Sequence, residues 1–134
     1  MTLRISRRQD ALVVVLPPEV DIGNAESVRT DLHELCRTRL EPESRNGVSK
    51  VVVDWAGAPF LTMAGVAVLE DFRRRATDQG VAVHLVACGR WPRAVLRLTG
   101  VDGALTVHDT LDQALDGRRH QRAQPRRTRQ RRQE

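Results

Sequence analysis

VVVDWAGAPFLTMAGVAVL, residues 51–69, decides the fold, because an unbroken apolar run passes through a loop into a segment with helical spacing. Three consecutive valines between Lys50 and Asp54 leave no polar alternate, so this strand expects cover on both faces and belongs in the middle of a sheet. From Met63 to about Gln79, Gly65, Val68, Leu69, Phe72 and Ala76 recur at helical intervals. Glu70, Asp71, Arg73, Arg74 and Arg75 are left for water, and Gly80 closes the helix. A central strand followed by a surface helix predicts a parallel crossover. Thr62-Met63-Ala64-Gly65 stands between them, at a helix mouth where α/β proteins often place a chemical group. Its one hydroxyl is that of Thr62.

Working toward the N-terminus, LRISRRQDALVVVL (residues 3–16) alternates and then turns at Gln9-Asp10 into a second β-branched run. Pro17-Pro18 ends that strand, since neither proline can donate to a ladder. Asp21 and Asn24 are both candidate N-caps for a helix with Ala25, Val28, Leu32, Leu35 and Cys36 on one side. Working toward the C-terminus, VAVHLVAC (residues 81–88) reads as another buried strand. WPRAVLRLTG (residues 91–100) reads as a helix with Trp91, Ala94, Val95 and Leu98 on one side. Residues 104–107 give a last short strand, and Thr110 caps a final helix through Leu115. The expected order is ββαβαβαβα: an α/β fold with a sheet of about five strands and helices packed mainly on one face.

At 134 residues the chain suits one domain with a real core. Its net charge of +5 divides unevenly. Residues 117–134 hold eight arginines and one acid, or +7, which leaves 14 basic against 16 acidic residues in residues 1–116. The sequence therefore divides into a mildly acidic domain, 1–116, and an Arg-rich tail, 117–134. The tail has too little apolar surface to offset the entropy of ordering it, so it is expected to be disordered. Eight guanidinium groups without interleaved aromatics imply at most weak, nonspecific nucleic-acid binding. No window is apolar enough for a membrane span and the N-terminus lacks a secretion signal, so a cytoplasmic location is expected. Cys36 and Cys88, without CxxC spacing, are expected to be buried small hydrophobes.

Chemistry has thin material. His84 and Cys88 are four apart on a strand, roughly 13 Å, too far to share a metal. His33, His108 and His120 have no local partner. No glycine-rich phosphate loop occurs. Asp21 and Asp54 could frame a Mg²⁺ site, but a cap and a loop-amide acceptor account for them better. No enzyme activity, cofactor or metal is expected.

Three segments carry a resemblance to the STAS family of bacterial anti-sigma factor antagonists. PEVDIGNA (18–25) looks like the family's GE-[LIV]-D-xxxA entry into its first helix. Residues 51–69 look like its VVLDLSGVxFLDSSGLxxL segment. RAVLRLTGVDGALTVHDTLDQAL (93–115) resembles its closing helix, short strand and helix. The resemblance implies a STAS-like sheet over about residues 2–116. It also implies a non-enzymatic module that binds a serine-kinase-type anti-sigma factor, or a related regulatory kinase, and so governs transcription. In the family the serine before the glycine of DSSG accepts the phosphate that ends binding; here Ala64 holds that place. Thr62 keeps a hydroxyl but is better read as a helix cap than as a displaced phosphosite. The implied contact residues are Asp21, Asn24, Thr62, Met63, Ala64 and Val66. An alternative is a STAS subunit of a larger complex of lipid-transport or stressosome-like kind. The sequence leaves the oligomeric state open.

Overall fold

The computed structural model describes residues 3–58 and 61–116. The expected disorder of residues 117–134 lies outside the described residues.

Five strands form one sheet in the order β1-β2-β3-β4-β5. They are β1 (Arg4–Arg8), β2 (Ala11–Val15), β3 (Lys50–Asp54), β4 (Ala82–Val86) and β5 (Thr106–His108). β1 and β2 pair antiparallel through the turn at Gln9-Asp10, and all later pairs are parallel. In register, Val13, Val52 and His84 lie side by side across the middle of the sheet. Among the described residues four α-helices complete the fold: α1 (Ala25–Leu35), α2 (Met63–Asp78), α3 (Arg90–Thr99) and α4 (Leu111–Leu115). A π-helical turn, Cys36–Leu40, extends α1, and a 3-10 turn, Val101–Gly103, precedes β5.

Strand alternation sorts the core onto two faces. Leu12, Val14, Val51, Val53, Val83, Leu85 and Val107 join α1, α2 and Leu96 of α3 in the larger cluster. Ala11, Val13, Val52 and Val86 face the other way, under α4 and its Ala114. Three helices on one face and one on the other agree with the expected architecture, and β3 is central, as its valines require. The α2 stripe read from sequence, Gly65, Val68, Leu69, Phe72 and Ala76, is buried throughout.

Helix α3 departs from its expectation. Pro92 and Leu96 face the core, whereas Trp91 and Leu98 are 68% and 85% exposed. Cys88 is also exposed, because it follows β4 instead of lying within it; Cys36 is buried. Burial pushes the Cys36 thiol up to about 11.

Two histidine pairings join distant segments. His33 Nε2 of α1 meets Asp71 Oδ2 of α2 at 2.7 Å. On the second face, His84 Nδ1 and His108 Nε2 are 2.9 Å apart, with both rings buried. Among the described residues no group of three His, Cys, Asp or Glu side chains is placed to hold a metal ion, and no helix is long and apolar enough to cross a membrane.

Candidate functional site

The parallel strands end on one edge of the sheet, and the loops that leave them there start α1, α2 and α3. Backbone bonds carry the sheet past its formal strands at this edge: the Leu16 amide donates to Asp54 O at 3.2 Å and the Trp55 amide to Val86 O at 2.9 Å. The loop after β2 and the loop after β3 are therefore neighbours.

Two side chains fasten these loops together. Trp55 Nε1 donates to Pro17 O at 2.9 Å, with its indole buried. Thr62 Oγ1 donates to Val20 O and accepts from the Gly65 amide at 3.0 Å. Thr62 is thus the N-cap of α2, as the sequence implied, and also a bridge to the first loop. Gly65 has a steric cause: a Cβ there would stand 2.8 Å from Trp55 Cη2 and 3.2 Å from Cζ2.

The first loop is folded by its own polar side chains. Asp21 Oδ1 accepts from the amides of Gly23 at 2.9 Å and Asn24 at 3.2 Å. Asn24 Oδ1 accepts from the Asp21 amide at 2.9 Å, and its Nδ2 donates to Glu19 O at 2.9 Å. Asn24 is the N-cap position of α1, but its side chain serves the loop instead of the helix amides. Asp54 Oδ1 accepts from the Ala56 amide at 3.1 Å, as a loop carboxylate should. Asp21 and Asp54 are each committed to local amides.

What this framework presents is apolar. Ile22, at the tip of the first loop, is 91% exposed, and Met63, the first residue of α2, is 68% exposed. Ala64 and Thr62 are half-buried beside them. Asp21, Asn24, Thr62, Met63 and Ala64 therefore come together on one surface. Val66 does not join it: at 4% exposure its side chain is in the core, on the side of α2 that it shares with Leu69 three residues on. Ile22 was not among the residues singled out from sequence. Its signal was an isolated large apolar residue within the polar stretch DIGNAE, with no helical partner to bury it.

No carboxylate or cation other than Asp54 lies in residues 54–69, and residues 17–28 hold Glu19, Asp21 and Glu26 without a basic residue. The two loops thus expose the large apolar side chains of Ile22 and Met63 and carry acidic residues on the first loop.

The profile of the STAS domain matches residues 2–114. The chain belongs to the STAS domain family. Among solved structures, an anti-sigma factor antagonist from Mycobacterium paratuberculosis superposes with a TM-score of 0.72 at 22% identity, covering 87% of this chain and 92% of its own. An anti-sigma-factor antagonist (STAS) domain protein from Planctomyces limnophilus gives 0.71 at 16% identity, covering 86% and 96%. The Bacillus cell fate determinant SpoIIAA, in its phosphorylated form, gives 0.60 at 16% identity, covering 86% and 97%. At these identities the likeness is one of fold. No curated relative matches the chain at a significant level. In STAS terms, α2 opens on Thr62-Met63-Ala64-Gly65, so this family member presents a methyl group at residue 64.

Proposed function

We propose that this STAS domain, residues 1–116, is a non-enzymatic docking module that binds a kinase-type anti-sigma factor or a related regulatory kinase through the paired loops before α1 and α2. The observation that carries this reading is the exposure of Ile22 and Met63 on two loops already fastened by Trp55 and Thr62. A partner then orders little of the chain on binding, which preserves affinity. Structural relatives described as anti-sigma factor antagonists support the class of partner.

The second part of the reading is that binding is set by abundance and not by phosphate. A phosphate at the mouth of α2 would be tolerated locally by the helix amides, yet it would add nearly two negative charges to an apolar contact. Ala64 has no oxygen to carry one, and the Thr62 hydroxyl is engaged between Val20 O and the Gly65 amide.

The test uses purified anti-sigma kinases from the source cell, with ATP present. Ile22→Asp and Met63→Glu should each weaken binding about tenfold or more, as charges placed in a desolvated contact do. The unaltered chain should take up no phosphate, while Ala64→Ser should acquire it. Phosphate found on the unaltered chain at residues 62–65 ends the unswitched part, and binding indifferent to both charged variants ends the docking part.

A further inference from the structure

Helix α3 carries a second surface that the docking loops do not use. Trp91, Ala94 and Leu98 recur along its outer side, and Arg90, Arg93 and Arg97 repeat the same spacing one residue earlier. At 3.6 residues per turn these form two adjacent strips, apolar and basic, opposite the buried Pro92 and Leu96. Arg93 pairs with Asp109 at 3.2 Å. Arg90 and Arg97 are exposed and make no ion pair among the described residues, and the helix itself contains no acid. The one exposed carboxylate close behind the helix in sequence is Asp102.

We propose that this face of α3 docks on an anionic phospholipid surface, with Trp91 and Leu98 entering the boundary between headgroups and acyl chains and Arg90 and Arg97 meeting the phosphates. Charge complementarity selects this occupant. A helix that sets Trp and Leu beside arginines has the composition of interfacial helices, whose aromatic rings settle at headgroup depth. Two apolar side chains are too few to anchor a protein alone, and stable attachment takes a second signal. Residues 117–134, at +7, supply it electrostatically. A second copy fits less well: the antiparallel pairing that would set Trp91 on its counterpart's Leu98 also lays both arginine strips along the same side. The inference stands apart from the proposed kinase docking, since Ile22 and Met63 belong to other loops.

Fluorescence of the full chain tests it, because Trp55 is buried and Trp91 is the exposed indole. The chain is titrated with vesicles of phosphatidylcholine alone, and with vesicles in which one third is replaced by phosphatidylglycerol. Only the second set should shift emission to the blue and protect Trp91 from iodide, and Trp91→Phe should abolish both signals. Leu98→Glu should reduce vesicle affinity about tenfold or more, with Leu98→Ser carrying the same test should the glutamate disturb the helix. Cosedimentation with Trp91 still open to iodide, or affinity unchanged in both Leu98 variants, overturns the proposal in favour of adsorption by the tail. Protection of Trp91 by soluble polyglutamate but not by vesicles overturns it in favour of an acidic protein. Protection that rises with protein concentration alone overturns it in favour of a second copy.

Discussion

Thr62 closes two bonds at once, one to the amide of Gly65 and one to Val20 O, so its hydroxyl is worth more than an ordinary cap. Thr62→Val keeps the shape and loses both; it should destabilise the fold by about 1–2 kcal/mol in urea titration, while Thr62→Ser stays close to the unaltered chain. Gly65 weighs two effects against each other. Alanine would gain up to about 1 kcal/mol of helix propensity, but its Cβ meets Trp55 Cη2 at 2.8 Å, and Trp55 is buried and tied to Pro17 O. Overpacking against such a ring costs about 1–3 kcal/mol, so Gly65→Ala should be net destabilising and should also loosen the loop that carries Ile22. Asp71 of α2 gathers His33 at 2.7 Å, Arg75 at 3.2 Å, Arg74 at 3.4 Å and Arg29 at 3.5 Å. Burial by itself would raise its carboxyl, but the hydrogen bonds from His33 and Arg75 outweigh that and hold it below the ordinary value of 3.8. A lowered native value means that the unfolded chain binds the proton first. The contribution is therefore complete above the unfolded-chain value and is lost as pH falls through the native one. Asp71→Asn should cost about 1–2 kcal/mol at neutral pH, and its urea midpoint should fall less than that of the unaltered chain when the solution is acidified below pH 3.8. An equal fall in both would remove the hub from the account.

Elements differ in how much of them sequence spacing reveals. For α2 the stripe was wide and continuous, and every residue assigned to the core is there. For α3 the same reasoning placed Val95 correctly against the core but mistook the direction of Trp91 and Leu98, because periodicity reports that a helix has a greasy side and not what covers it. Pro92 and Leu96, with Val95 packed beside them, hold the helix to the core, and Trp91 and Leu98 are left exposed. The His33–Asp71 pair was invisible for a different reason, since its members lie 38 residues apart and meet only once α1 and α2 pack. Helix α4, five residues long, is too short to persist by itself. It is held at its start by Thr110 Oγ1, which accepts from the Gln113 amide at 3.1 Å. At its end, Lys50 Nζ donates to Ala114 O at 3.0 Å and Leu115 O at 3.2 Å. Lys50→Met should remove about 1 kcal/mol of support and raise amide hydrogen exchange selectively in residues 113–116. Exchange that rises equally in α1 would show that Lys50 acts on the whole fold and not on this helix.

At the scale of the whole molecule, sequence order equals spatial order in the sheet, so each strand pairs with the next and each parallel crossover lays its helix on the same face. That is why the architecture was legible from composition and spacing, whereas the proposed docking surface needed coordinates to admit Ile22 and expel Val66. A sheet built this way leaves β1 as an open edge, exposed along its whole length, and such an edge invites pairing with another chain. Arg4, Arg7 and Arg8 stand along it. Arg7 also has a structural task, donating to Gln9 O and, at 2.9 Å, to Asn46 O. Arg4 and Arg8 make no ion pair or side-chain hydrogen bond among the described residues, which leaves repulsion between copies as their contribution. The double variant Arg4→Thr, Arg8→Thr should keep its circular dichroism and urea midpoint within about 0.5 kcal/mol, as surface substitutions do. Light scattering should then show self-association at concentrations roughly tenfold below those at which the unaltered chain begins to associate. If the variant stays as monodisperse as its parent, strand twist and not charge protects the edge, and the two arginines have another role.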